Sequence, residues 1–439
     1  MHMTKKLAIV PFLLLVLVTV LSLFLGHNPV ASPTDPAIDT GDTAWLLTSA
    51  ALVLIMTPGL AFFYGGMVRK KNVISTMLQS FICMAIVSVI WVVFGFSLAF
   101  GEDIGGIIGN PSTFMFMNGV LDGKPWSLAP TVPLAVFAFF QLKFAIITPA
   151  LVTGAFSERV RFTSYILFIC LFFIFIYAPL AHMTWHPSGL LFKLGVLDFA
   201  GGTVVHMSAG VAALASAIYL RKRSEQEMKP ARITYVLLGT GLLWFGWFGF
   251  NGGSAMGANN LAAIALATTA VASGAAAFAW IIFDALRGKK PSAMGTSIGA
   301  VVGLVAITPA AGFVSLPHAL VIGVVASLIS NLMVEWRTRT SIDDTLDVFP
   351  CHGVGGLVGM ILTGVFASPG INSAVADKGL FFGETKLFTT HVLVALAVLV
   401  GVFIMSMIIL KITDLVTPLR VSEEEEAEGL DVSQLGETL

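Results

Sequence analysis

The sequence predicts an all-α polytopic membrane protein, and three observations carry that reading. Long apolar runs recur along the whole chain, charge is scarce, and the basic residues gather in alternate gaps between the runs. Of 439 residues, 56% are apolar and 11% charged, where an ordinary soluble domain carries about 25% charge. Such a surface suits lipid better than water. The net charge of −1 supplies no field for nucleic acid.

A helix that crosses a bilayer needs about 20 mostly apolar residues. Eleven segments qualify: 44–68, 75–100, 131–155, 161–182, 199–220, 233–256, 260–286, 293–313, 318–336, 350–368 and 388–412. Helices are expected because each satisfies its own backbone in lipid. The alternation that marks a membrane barrel is absent.

The basic residues set the orientation. If 44–68 runs inward, one side collects Arg69, Lys70 and Lys71, Arg159 and Arg161, and five more between Arg221 and Arg232. It also collects Arg287, Lys289, Lys290, Arg337, Arg339, Lys411 and Arg420. The other side keeps Lys124, Lys193, Lys378 and Lys386, so the split is seventeen to four. The positive-inside rule then places the N-terminus of the core outside and the tail, 413–439, in the cytoplasm. The expected site is the inner (plasma) membrane, with residues 40–412 as the transmembrane domain.

Residues 1–31 read as a signal peptide. Lys5 and Lys6 precede the apolar run 7–25, and a stretch containing Pro and Asp follows, from Asn28 to Asp42. The alternative is a twelfth helix. The run is long for a signal, and Pro29-Val30-Ala31 lacks a small residue at the third position back.

A weak internal repeat is visible. The first segment ends Phe62-Phe63-Tyr64-Gly65-Gly66, and the sixth carries Phe248-Gly249-Phe250-Asn251-Gly252-Gly253. The fifth opens at Asp198 and reaches His206; the tenth is preceded by Asp347 and reaches His352. The unit is five helices, and an odd number of crossings inverts the second copy. The architecture is therefore an inverted five-plus-five repeat plus a C-terminal helix, with a site expected where the repeats meet near the midplane.

Ionisable groups within lipid are costly and mark function by default. His206 lies seven residues into its helix, about 10 Å below its start at 1.5 Å per residue. His352 follows Pro350-Cys351 and precedes Gly353. If the repeat holds, the two imidazoles can meet near the axis as a neutral pair that relays hydrogen bonds. They can also be two unrelated core histidines, each bonded to a carbonyl. A metal or haem site would need further ligands, and neither Cys-x-x-Cys nor His-x-x-x-His accompanies them. Asp198 is a helix cap, a cation-attracting charge, or both. Trp185, Phe140, Phe144 and Phe250 offer ring faces to a small cation, though each alone also suits packing. Cys83, Cys170 and Cys351 lie in or beside apolar runs and fit neither zinc nor a disulfide framework. No catalytic constellation is present, and neither enzyme activity nor a cofactor is expected.

These motifs resemble the ammonium transporter family, which includes methylammonium permeases and Rhesus proteins, over roughly residues 40–436. The resemblance rests on Asp198-Phe199-Ala200-Gly201-Gly202-Thr203-Val204-Val205-His206, on Trp247 to Ser254, on Phe62 to Gly66 and on Asp347 to Gly353. It implies a homotrimer with one pore per subunit. It implies an ammonium site at Phe140, Phe144, Trp185 and Ser254, a gate of Phe144 and Phe250, and pore residues His206, His352 and Thr308. Asp198 matches the family's essential aspartate. The tail Glu428-Gly429-Leu430-Asp431 resembles its cytoplasmic motif, near which bacterial members bind a PII-type signal protein. Leu435 departs from the histidine many members carry before Gly436. Lys143, between the two phenylalanines, is expected to face away from the pore.

The expected mechanism is recruitment of ammonium, loss of a proton, and conduction of ammonia past the histidine pair, with electrogenic flux favoured. A neutral ammonia channel and an ammonium receptor signalling through the tail are the alternatives.

Overall fold

The computed structural model describes residues 5–26, 35–227 and 229–439. The cleavage motif Pro29–Ala31 expected at the end of the leader lies outside them. A leading helix, Lys5–Leu25, precedes the core. Ten helices long and apolar enough to cross a bilayer follow among the described residues, with one shorter helix. In chain order the eleven are α1 (Thr40–Met67), α2 (Lys70–Phe100), α3 (Leu134–Phe156), α4 (Phe162–Lys193), α5 (Gly202–Leu220), α6 (Ile233–Gly253), α7 (Asn260–Leu286), α8 (Ala293–Ile307), α9 (Leu316–Thr338), α10 (Phe349–Phe366) and α11 (Lys386–Val416). Every expected segment is a helix, which establishes the polytopic all-α class.

Several boundaries differ from expectation: the segment expected at 161–182 runs from Phe162 to Lys193, and two further cases are informative. The segment 293–313 is helical for 15 residues only and ends at Ile307. Pro309 lacks an N–H and so cannot continue the helical ladder, and 308–313 folds as turns. The last helix runs to Val416, past the expected 412.

Local chemistry starts the helices. Asp39, Asn259 and Ser292 each accept a bond from a free amide in the first turn of α1, α7 and α8. The centre is set by small residues. At Gly239 of α6 an added Cβ would lie 2.3 Å from the Phe63 backbone nitrogen of α1. That contact makes α1 and α6 the most extensively packed pair and draws together the helices that open the two repeats. α5 is 83% buried over its apolar window and α11 only 33%. The fifth helix is therefore at the heart of the bundle and the eleventh on its rim.

The tail returns to one face of the bundle. A short helix, α12 (Glu423–Glu428), starts at a capping box of Ser422 and Glu425. Asp431 then accepts bonds from the Ile74 and Ser75 amides at 3.0 and 2.7 Å, capping the start of α2. The same face carries a buried ion network. Glu158 accepts from Arg69 and Arg223, each at 2.7 Å, and Asp343 accepts from Arg223 at 2.9 Å. On the opposite face two short hairpins, β1 (Asp103–Ile104) with β2 (Ile108–Gly109) and β3 (Pro125–Trp126) with β4 (Ala129–Pro133), cover the bundle.

Candidate functional site: packed aromatic rings over two facing histidines

α5 and α10 both begin with a wide π-helical turn, Gly202–Met207 and Phe349–Val354, and each turn carries one histidine. Such turns are rare and gather at functional sites. The two helices touch backbone to backbone, since a Cβ at Gly210 would lie 2.0 Å from the Gly353 nitrogen. No side chain fits there, and the close approach brings the rings of His206 and His352 together. Their Nδ1 atoms are 3.4 Å apart. Both rings are buried, 1% and 4% exposed.

The donor inventory fixes their tautomers. The Thr308 hydroxyl donates to the Leu304 carbonyl at 2.8 Å and accepts from the Trp247 indole at 2.9 Å. Its remaining lone pair faces His206 Nε2 at 3.3 Å. The hydroxyl proton being used, His206 Nε2 carries the hydrogen and donates. His206 Nδ1 is then bare and accepts from the Nδ1–H of His352. Both rings are neutral in this arrangement, and His352 Nε2 keeps a free lone pair. Trp247, which sequence reasoning placed in a motif without a role, stacks on His206 at 5.3 Å. Only its position in an apolar run was legible; the stack arises from the fold.

Above the histidines stand the rings. Phe144 and Phe250 lie with centroids 4.1 Å apart and planes tilted by 32°, and Phe250 is 6.0 Å from the His206 ring. Phe140 and Trp185 flank Phe144 at 4.9 and 6.0 Å. Ser254 donates its hydroxyl to the Phe250 carbonyl at 2.8 Å, which leaves its oxygen lone pairs for an incoming donor. Below the rings a cavity of about 10 Å³ is lined by Leu60, Leu151, Val205, Leu243 and the two histidines. That space suits about one small molecule. Phe140, Phe144, Trp185, Phe250, His206, His352 and Thr308 are thus brought together by successive ring and polar contacts. Lys143 points elsewhere: its ammonium sits 6.0 Å over the Phe139 ring, and Phe139 is exposed on the bundle's surface.

Asp198 is 6% exposed. Its carboxylate accepts from the amides of Gly201, Gly202 and Thr203 and from the Thr203 hydroxyl, at 2.6–2.8 Å. It is a saturated cap, so any influence on a passing cation runs through its field rather than through contact. The residue that mirrors it is Asp344, not the expected Asp347. Asp344 accepts from the Phe349 amide at 2.7 Å and is fully buried. Asp347 instead pairs with Arg337 at 2.5 Å. The described residues contain no group of His, Cys, Asp and Glu able to hold a metal ion.

A bundle of membrane-length helices closed around stacked aromatic rings and a buried histidine pair defines a multi-pass membrane protein. The chain belongs to the Ammonium Transporter Family, whose model matches residues 44–439. It is 44% identical over 420 residues to the ammonium transporter of Aquifex aeolicus, covering 95% of this chain and 97% of that protein. It is 45% identical over 402 residues to the ammonium transporter of Bacillus subtilis, covering 90% and 98%. Among solved structures it is similar to Mep2 of Saccharomyces cerevisiae, with TM-score 0.84, 33% identity and coverage of 91% and 94%. It is also similar to a protein described as a sensor Amt protein, with TM-score 0.81, 28% identity and coverage of 90% and 98%.

Proposed function

We propose that this chain carries ammonium across the cytoplasmic membrane by binding the cation, removing its proton and conducting ammonia past His206 and His352. The observation that carries the reading is the 3.4 Å contact of two neutral imidazoles beneath a closed pair of rings. Phe140, Phe144 and Trp185 give the cation π faces, and Ser254 gives it an acceptor. A bare cation in an apolar pore meets a desolvation cost of tens of kcal/mol in the Born limit. Ammonium titrates between an α-amino group and lysine, so losing its proton at pH 7 costs only about 1–5 kcal/mol.

Flux is electrogenic in this reading, with the proton following separately. The protein acts as a homotrimer in the inner membrane, with the core's N-terminus outside and the tail inside. Residues 1–31 act as a signal peptide, and a PII-type protein docks near the tail. Ammonium-evoked current in proteoliposomes tests the reading. Saturable current supports it. Ammonia flux without current marks a neutral channel, and ammonium binding without flux marks a receptor, the role that the likeness to a sensor Amt protein raises.

A further inference from the structure

The segment that carries Asp198 lies between α4 and α5 and has no helix or strand of its own. Its backbone groups must find partners elsewhere. Three neighbours supply them. The Phe199 amide donates to the Pro309 carbonyl at 3.1 Å. The Trp185 indole donates to the Asp198 carbonyl at 3.0 Å. The Leu197 amide donates to Nε2 of His391, on α11, at 3.0 Å.

His391 is fully buried and is itself tied down. Its Nδ1 donates to the Met360 carbonyl of α10 at 2.8 Å. One nitrogen donates and the other accepts, so the ring is neutral and its tautomer fixed. α10 packs closely on this residue, since a Cβ at Gly364 would lie 3.1 Å from the His391 Cβ.

We propose that His391 is a positioning residue for the substrate site: it sets the height of the Leu197–Asp198 backbone, and through the Asp198 carbonyl it sets the Trp185 ring. The inference rests on the reading that Trp185 receives the cation. A helix on the rim of the bundle, which lines no part of the cavity below the rings, thereby fixes part of the entrance. The bond differs from a generic core contact in that its partner is the one amide immediately before Asp198.

The test is ammonium current across a concentration series in proteoliposomes of equal protein load, with melting temperature recorded for each variant. His391→Ala should raise the half-saturating ammonium concentration by about tenfold, equivalent to about 1.4 kcal/mol. His391→Gln, which offers an acceptor and a donor, should return it to within about twofold. His391→Asn, too short to reach Leu197, should behave like His391→Ala and serves if that variant fails to assemble. Trp185→Phe removes the other bond to the same backbone, so adding it to His391→Ala should produce less than the product of the two effects. Unchanged half-saturation in both short variants overturns the proposal. So does failure of His391→Gln to improve on His391→Ala, or fully multiplicative effects in the double variant. A parent without saturable ammonium current overturns the proposed function instead, which separates the two failures.

Discussion

Asp198 and Asp344 stand in the same relation to His206 and His352. Each lies eight residues before its histidine in the sequence, and each caps the π-helical turn that carries it. The pair is the inverted repeat expressed in atoms. The two caps are not equivalent in detail. Asp198 has donors on both oxygens, whereas one oxygen of Asp344 is buried with no hydrogen-bond partner among the described residues.

Removing the Asp198 cap should therefore do more than weaken a helix end. Asp198→Ala deletes four bonds to a carboxylate, each worth about 1.5–3 kcal/mol, and ammonium current should vanish. Asp198→Asn retains an acceptor but turns an amide N–H₂ against backbone donors, and current should fall by at least tenfold, about 1.4 kcal/mol. Parent-like current in the asparagine variant means that neither the charge nor the full cap is needed.

The histidine pair predicts a selectivity change. His206→Ala and His352→Ala each break the bond between the rings. His352→Glu places a fixed negative charge beside the pore, which offsets desolvation of a cation. The parent should pass ammonium and exclude potassium. At least one of the three variants should lose ammonium current or admit potassium. Parent-like currents for both ions in all three would reduce the histidines to packing residues.

Membrane sidedness can be read from two surface positions. A cysteine at Ser433 should be labelled only from the cytoplasm, and one at Lys124 only from outside, as the seventeen-to-four basic asymmetry requires. Labelling of both from one side contradicts a core with an odd number of crossings.

The buried ion network makes stability depend on acid. Burial pulls the Glu158 carboxyl up, but the bonds and charge of Arg69 and Arg223 outweigh it and hold the group below its ordinary value. Asp343 is held down in the same way by Arg223 and Arg159 against its burial. A folded pKa below the unfolded one gives stability that is present above about pH 4.3 and lost as pH falls below it. The melting temperature of the solubilised protein should thus drop steeply below about pH 4. Glu158→Gln leaves two buried guanidinium groups without that partner and should cost about 3–5 kcal/mol at neutral pH. It should also flatten the acid limb; an identical acid limb in that variant would assign the pH dependence to other carboxylates.

The sequence by itself determined the class and the order of the apolar helices, and it singled out the buried histidines and aspartate as candidates. Apolar length and charge scarcity are one-dimensional quantities, and the cost of burying backbone or charge in lipid converts them directly into spans and loops. His206, His352 and Asp198 stood out for the same reason, as costly groups at defined depths, whereas the site roles expected of Phe140, Phe144 and Phe250 came from the family resemblance. Tertiary structure decided which of these meet. The repeat signal pointed to Asp347 as the partner of Asp198, and the cap fell to Asp344, because capping depends on which carboxylate the loop aims at free amides. Trp247, Thr308 and His391 acquired their contacts with the pore histidines and the Asp198 segment from helices distant in sequence. The shortened α8 came from Pro309, a local effect that a window of hydropathy averages away. Hydrogen-bond direction and ring orientation are properties of packed neighbours, and only the close glycine crossing of α5 and α10 turned two buried histidines into one continuous polar contact.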